Sequence, residues 1–187
     1  LEEGNAPIDV LNVGLVEPIN ALGEKFRLGQ IYIPELLVSS KAMKLGVEVV
    51  KPLLVGSEGA SLGKVIVATV AGDMHDIGKN LVGMLMESAG FEVIDLGMDV
   101  EPEDIVEAVE ENPDTVILGL SAMLTTTMYA MKDTIEALEE AGLRDKLKIM
   151  IGGAPVNSTF AEQIGANGYT ANAPLAVEFA KGLVGAE

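Results

Sequence analysis

The sequence predicts a doubly wound α/β domain around a five-stranded parallel sheet, preceded by a small helical domain. Three observations carry this. From residue 64 onward, short apolar runs alternate with amphipathic helical stretches. Runs such as Val116-Ile117-Leu118 are continuously apolar, which marks strands buried on both faces and therefore a parallel sheet. Before residue 55 no stretch reads as a convincing strand, while apolar residues recur at helical spacing.

In the N-terminal part, Leu11, Leu15, Ile19, Leu22 and Phe26 lie on one helix face. Pro18 should kink or split that helix, and Gly29 should end it. Pro34 suits the first position of a second helix, whose stripe is Leu36, Leu37, Met43, Val47, Val50 and Leu53. Two amphipathic helices are too few to close a bundle. Residues 1–54 are therefore expected to form a helical domain lacking its first helix, or a pair packed on the second domain. Residues 55–63 are rich in Gly and Ser and read as a linker. Strands are expected at 64–70, 91–96, 115–121, 147–151 and 168–170. Helices are expected at 77–89, 102–111, 127–141, 158–164 and 174–184. Pro102 opens one helix, and Gly90 and Gly142 follow two others. Met128, Met131, Ile135 and Leu138 form a helical stripe, in which the thioethers read as core filler. The domain over 64–187 is thus flavodoxin-like.

Composition narrows the partners. Hydrophobic residues make up 49% of the 187, enough for a sizeable core and too many for a disordered chain. The formal net charge of −17 opposes binding to nucleic acid or anionic membranes. There is no cysteine, so disulfides, thiolate metal sites and iron–sulfur ligation are excluded. No apolar run approaches the ~20 residues of a membrane span, and no basic leader is visible. A cytoplasmic protein fits. The chain begins at Leu1, so residues are expected to be missing before it. Glu107, Glu110, Glu111 and Asp114 read as a solvated helix face.

The chemistry gathers at Gly72-Asp73-Met74-His75-Asp76-Ile77-Gly78, which holds the single histidine of the chain. The segment lies just after the first strand, at the carboxyl edge where open α/β sheets bind ligands. A lone histidine is often structural, but the flanking glycines let a large ligand approach the backbone. Asp73 can take a hydrogen bond from one ring nitrogen, orienting the ring and raising its basicity. One histidine without cysteine or a second histidine cannot build a tetrahedral zinc site. Macrocyclic metals need only one axial protein ligand, which leaves haem and cobalamin. An alternative for Asp73 and Asp76 is the acidic pocket of a response regulator. It wants a lysine at a late strand end, where this chain has Ile151-Gly152-Gly153-Ala154. Two more segments are candidates: the hydroxyl-rich end of the third strand, from Ser121 to Thr127, and Gly152-Gly153 after the fourth. Together they can flank a slot for a polar tail. Helix capping by Thr126 or Thr127 and a tight turn at the glycines are the competing roles.

The Asp-x-His-x-x-Gly pattern, with the hydroxyl cluster and the glycine pair, resembles the cobalamin-binding domain of methionine synthase and the corrinoid proteins of anaerobic methyltransferase systems. The resemblance implies a cobalamin or related corrinoid held base-off, with His75 as the lower axial ligand of cobalt. It implies Asp73 as the hydrogen-bond partner of His75, and Thr127 as the third member of the ligand relay. Gly72, Met74, Asp76 and Ile77 would line the cofactor beside them. Gly78 would admit the nucleotide tail, Ser121 and Thr125 would bind its base region, and Gly152 and Gly153 would line the slot. Tyr169 and Ala173 would close it. Gly23-Glu24-Lys25-Phe26 and Ile33-Pro34-Glu35-Leu36 resemble the helical cap over the upper cobalt face, with Phe26 and Ile33 shielding the methyl group. The linker would then be a hinge that lets the cap swing away.

By this resemblance the chain is a methyl carrier rather than a complete enzyme. It would accept a methyl group on cobalt from a donor-specific methyltransferase. It would pass the group to tetrahydrofolate or coenzyme M through a second, corrinoid-to-acceptor methyltransferase. A reductive activase would restore the reduced cobalt. The small subunit of an adenosylcobalamin mutase shares the motif, but there a barrel subunit covers the upper face and no cap is needed. A cobalamin-dependent sensor would want a DNA-binding segment, and none is visible. Methanol, methylamines, glycine betaine and methoxylated aromatics are all open as donors, because specificity would reside on the partner.

Overall fold

The structure, a computed structural model, describes residues 5–18, 21, 22, 25, 28–54 and 62–185, some by backbone alone. The chain divides into two compact units, Leu1–Gly56 and Ser57–Glu187.

In the first unit α1 (Pro7–Leu11) runs into a widened π turn over Asn12–Val16. The expected break at Pro18 thus falls a turn earlier. The proline cannot donate to the carbonyl of Gly14 and its ring crowds that carbonyl, so the preceding turn gives way. Helix α2 (Ile33–Leu54) carries Pro34 at its second position, not its first. Glu35 at the third position accepts from the Tyr32 N–H at 3.1 Å, one half of a capping box. Leu11, Met43 and Val50 are buried, whereas Leu53, expected on the same stripe, is exposed. Leu15 lies so close to Gly46 that a Cβ there would sit 2.7 Å from its Cδ2, so glycine is what lets Leu15 seat on α2. Phe26 and most of the expected linker lie outside the described residues, and Ile33 is described by backbone alone.

The second unit is the α/β domain. Its strands are β1 (Lys64–Thr69), β2 (Glu92–Asp95), β3 (Thr115–Ser121), β4 (Lys148–Gly152) and β5 (Gly168–Tyr169). They pair in the order β2-β1-β3-β4-β5, all parallel. The connecting helices are α3 (Ile77–Ser88), α4 (Pro102–Glu111), α5 (Ala130–Glu140), α6 (Ser158–Gln163) and α7 (Ala173–Val184). The strand alternation sorts the core into two layers. Ile66, Ala68, Leu118, Leu120, Ile149 and Ile151 face the layer that holds Ile105, Val109, Met131, Ile135, Leu138 and Phe160. Val65, Val67, Ile117 and Met150 face the other, with Met86 of α3 and Ala176 and Ala180 of α7. Met131 is fully buried and Met128 packs against the first layer, as the core-filler reading expects.

The expected elements recur within one to three residues, with one informative difference. Helix α5 begins at Ala130, not at 127, and its flanking Tyr129 makes no side-chain cap. The hydroxyl of Thr127, weighed as a cap, is engaged elsewhere. The strand order reverses between β1 and β3, so the loops after these strands part on opposite sides of a crevice.

Candidate functional site

At the carboxyl end of β1 the chain turns at Gly72, whose φ of +78° suits glycine. Asp73 comes next and is fully buried. Its carboxylate spans the switch point. Oδ1 accepts from the backbone N–H of His75 at 3.0 Å and from His75 Nδ1 at 2.7 Å. Oδ2 accepts from the Met123 N–H at 2.7 Å, the Leu124 N–H at 3.3 Å and the Thr127 hydroxyl at 2.6 Å. Burial alone would raise its pKa. The bonds from Thr127, Met123 and His75 outweigh burial and hold the carboxyl well below the usual carboxylate range.

That ionisation fixes the imidazole. A carboxylate can only accept, so Nδ1 carries a proton, and the neutral ring has its lone pair on Nε2. The His75 side chain is 54% exposed while its partner is sealed, so the lone pair is open to a ligand. The Thr69 hydroxyl donates to the His75 carbonyl at 3.0 Å, which anchors the loop's backbone to β1. Asp76 flanks α3 and accepts from Asn80 Nδ2 at 3.0 Å. Lys79, in the first turn of α3, is buried against Asp95 of β2 and donates to Asn80 Oδ1 at 2.7 Å.

On the face shared with α3 and α7, the strand ends present small or hydroxylic residues. Thr69 is in register with Ser121, and Ser121 with Gly152. Thr170 continues the row through its N–H bond to the Ile151 carbonyl at 3.1 Å. A Cβ built on Gly78 would meet nothing within 4 Å, so there is room beside the start of α3. Ala173 is buried at the first turn of α7. Thr125 is exposed on the turn before α5.

Two expected slot residues behave differently. Tyr169 packs against the opposite core layer, because residues one apart in a strand point to opposite faces. Thr170 lies on the face shared with α3 and α7 instead. Gly153 is glycine for a backbone reason: at φ +120° its Cβ would stand 1.8 Å from the Ala122 carbonyl oxygen. A valine there breaks the β3–β4 junction before it can block any slot. A groove of about 700 Å³ beside Tyr169, Thr170, Leu175 and Phe179 contains no residue of the His75 loop.

Sequence reading missed Thr69, the peptide N–H groups of Met123 and Leu124, and Asp99. Among the described residues Asp99 is the one non-glycine with a positive φ, +54°, a conformation that costs about 1 kcal/mol. Its signal in the sequence is slight: an aspartate two residues after a glycine at a strand end. Met74, Met98, Met123 and Leu124 are exposed on the three loops these bonds join, an apolar setting around a polar ligand pair.

Among the described residues no three His, Cys, Asp or Glu side chains gather to hold a bare metal ion. A metal taken by His75 must therefore bring its other ligands with it, as a macrocycle does.

Comparison with known proteins agrees. A B12 binding domain model matches residues 63–177, and a second B12 binding domain model matches residues 1–51. The chain is 42% identical over 180 residues to the dimethylamine corrinoid protein of Methanosarcina barkeri, covering 95% of this chain and 84% of that one. It is 41% identical over 181 residues to a corrinoid protein of Desulfitobacterium hafniense, covering 95% and 83%. The solved monomethylamine corrinoid protein of Methanosarcina barkeri superposes with a TM-score of 0.89 at 37% identity, over 96% of this chain and 84% of that one. The methanol:cobalamin methyltransferase complex MtaBC from Methanosarcina barkeri matches with a TM-score of 0.64 at 33% identity, over 100% and 70%. The fold and site define a B12-binding protein, and the chain belongs to the corrinoid proteins of methyltransferase systems. No described helix is long and apolar enough to cross a membrane.

Proposed function

We propose that the chain carries a methyl group on a corrinoid whose cobalt is held from below by His75 Nε2, the corrinoid's own base having been displaced. The observation that carries this is the sealed Asp73 carboxylate, which holds Nδ1–H and leaves Nε2 as the lone-pair nitrogen of a half-exposed side chain. The corrinoid, when bound, supplies a metal able to take up and release the methyl group.

The chain's own part is placement. Thr127 and the Met123 and Leu124 peptides hold Asp73, Asp73 holds Nδ1–H, and the ring cannot rotate without breaking a charge-assisted bond. Asp73 stays ionised and keeps the ring proton on Nδ1, so that one hydrogen bond tightens or relaxes as the demand on Nε2 changes. The row Thr69, Ser121, Gly152 and Thr170, with Gly78 and Ala173, supports a channel for the nucleotide tail. Residues 1–54 act as a cap over the upper side of the ring.

The carrier serves a donor-specific methyltransferase and a corrinoid-to-acceptor methyltransferase, with a reductive activase, in the cytoplasm. The similar proteins named for dimethylamine and monomethylamine favour a carrier over a mutase subunit or a sensor. The test is reconstitution with hydroxocobalamin, reduction to the Co(II) form and electron paramagnetic resonance. Splitting by one histidine nitrogen, lost in His75→Ala, is expected. A spectrum indifferent to that substitution overturns the ligand assignment, and failure to take up the corrinoid overturns the whole reading.

A further inference from the structure

We propose that Asp99, on the loop after β2, is a positioning residue for His75. The inference rests on reading His75 as the axial ligand and adds a third loop to what holds it.

Asp99 is tied to the His75 loop in both directions. Its Oδ1 accepts from the Gly72 N–H at 2.7 Å, and its own N–H donates to the Asp73 carbonyl at 3.0 Å. The two bonds grip peptide groups on either side of the Gly72 and Asp73 α-carbons. Asp99 is itself fixed from both sides. Gly97, two residues before it, accepts from the Thr69 N–H at 3.0 Å, and Val100 after it donates to the Thr69 carbonyl at 3.1 Å. Val70 and Val100 form an isolated parallel bridge. The loop after β2 is thus stitched to the end of β1, with Asp99 at the last stitch.

The consequence is a division of labour across the switch point. The carboxylate of Asp73 is held from the β3 side, by Met123, Leu124 and Thr127. Its backbone is held from the β2 side, by Asp99. With one end free the carboxylate could still be satisfied while the main chain tilted, carrying His75 with it. With both ends held, Nε2 has one position. The positive φ of Asp99 fits this role. Aspartate tolerates that conformation better than most residues and also supplies an acceptor, which glycine does not.

Variants separate the clamp from the turn. Asp99→Asn keeps both the acceptor and the tolerance for positive φ. Asp99→Gly keeps the turn and deletes the acceptor, and Asp99→Ala serves as a second acceptor-free variant should the glycine form be unstable. In the cofactor-free full chain, nitrogen-15 NMR at mildly alkaline pH reads Gly72 amide exchange and the His75 tautomer. The parent and Asp99→Asn should show a protected Gly72 amide and the Nδ1-protonated ring. Asp99→Gly should exchange Gly72 at least tenfold faster while keeping the Nδ1-protonated ring, with its melting temperature close to the parent's. Loaded with cob(II)alamin, the acceptor-free variants should lose part of the histidine nitrogen splitting, and Asp99→Asn should keep it. Unchanged Gly72 protection in Asp99→Gly, or undiminished histidine splitting in the loaded acceptor-free variants, overturns the clamp. If the loaded parent itself lacks the splitting, the axial-ligand reading falls, and with it the positioning of a ligand.

Discussion

At the scale of single residues, the site turns on one carboxylate that accepts five hydrogen bonds. Asp73→Asn is nearly isosteric and chemically opposite on one side. Its amide nitrogen must face either the Met123, Leu124 and Thr127 donors, or the His75 N–H, where it can also donate to Nδ1 and move the ring proton to Nε2; either way a buried donor meets a donor. The expected loss is about 1–3 kcal/mol in denaturant unfolding of the cofactor-free chain, with mixed His75 tautomers by NMR. Thr127→Val should cost about 1–3 kcal/mol for the same reason, whereas Thr127→Ser keeps the hydroxyl and should stay within about 1 kcal/mol of the parent. The pairing of His75 with Asp73 was legible because the two are neighbours in sequence and their chemistry is complementary. Thr127 was reachable only through resemblance, since nothing local links it to a carboxylate 54 positions earlier. Thr69 and Asp99 were not legible. Contacts between loops of different strands depend on strand order and register, which the apolar pattern does not specify.

At the scale of elements, alternation along the strand ends decides which residues can share a slot. It sets Ser121, Gly152 and Thr170 on one face and Tyr169 on the other, a distinction a two-residue strand is too short to reveal by pattern. The glycine pair splits in the same way. Gly153→Ala should lose on the order of 3 kcal/mol or more, since its Cβ would meet the Ala122 carbonyl oxygen at 1.8 Å. Gly152→Ala meets only ordinary contact, 3.5 Å from the Thr170 carbonyl oxygen, and should melt within a few degrees of the parent. Gly152→Val is therefore the informative probe of the tail channel. A normal melting temperature with weakened corrinoid uptake is expected, and undiminished uptake would place the channel elsewhere. The helices were legible from period and punctuation. The start of α5 was not, because a threonine before a helix reads as a cap until its hydroxyl is seen to reach Asp73.

At the scale of the whole molecule, the two compact units allow a clean division of roles. Removing residues 1–56 should leave a chain that folds and takes up the corrinoid with its histidine splitting intact. Photolysis of the methylated form should then be faster than in the full chain, and an unchanged rate would deny the N-terminal unit its shielding role. The two-unit organisation was legible from the loss of strand signal before residue 55, while the proposed shielding rests on Phe26 and Ile33, whose side chains lie outside those described. The flanks of the sheet have a consequence of their own. One margin is β2, four residues long with Glu92 and Asp95 exposed at its ends. The other is β5, two residues long. Parallel sheets end in unsatisfied ladders that invite pairing with a neighbour, and natural chains blunt them by brevity and charge. Here both margins are short, and the carboxylates of β2 are engaged by lysines of its own domain, Glu92 by Lys64 and Asp95 by Lys79. Neither margin offers a long bare ladder for a second copy of the sheet to extend.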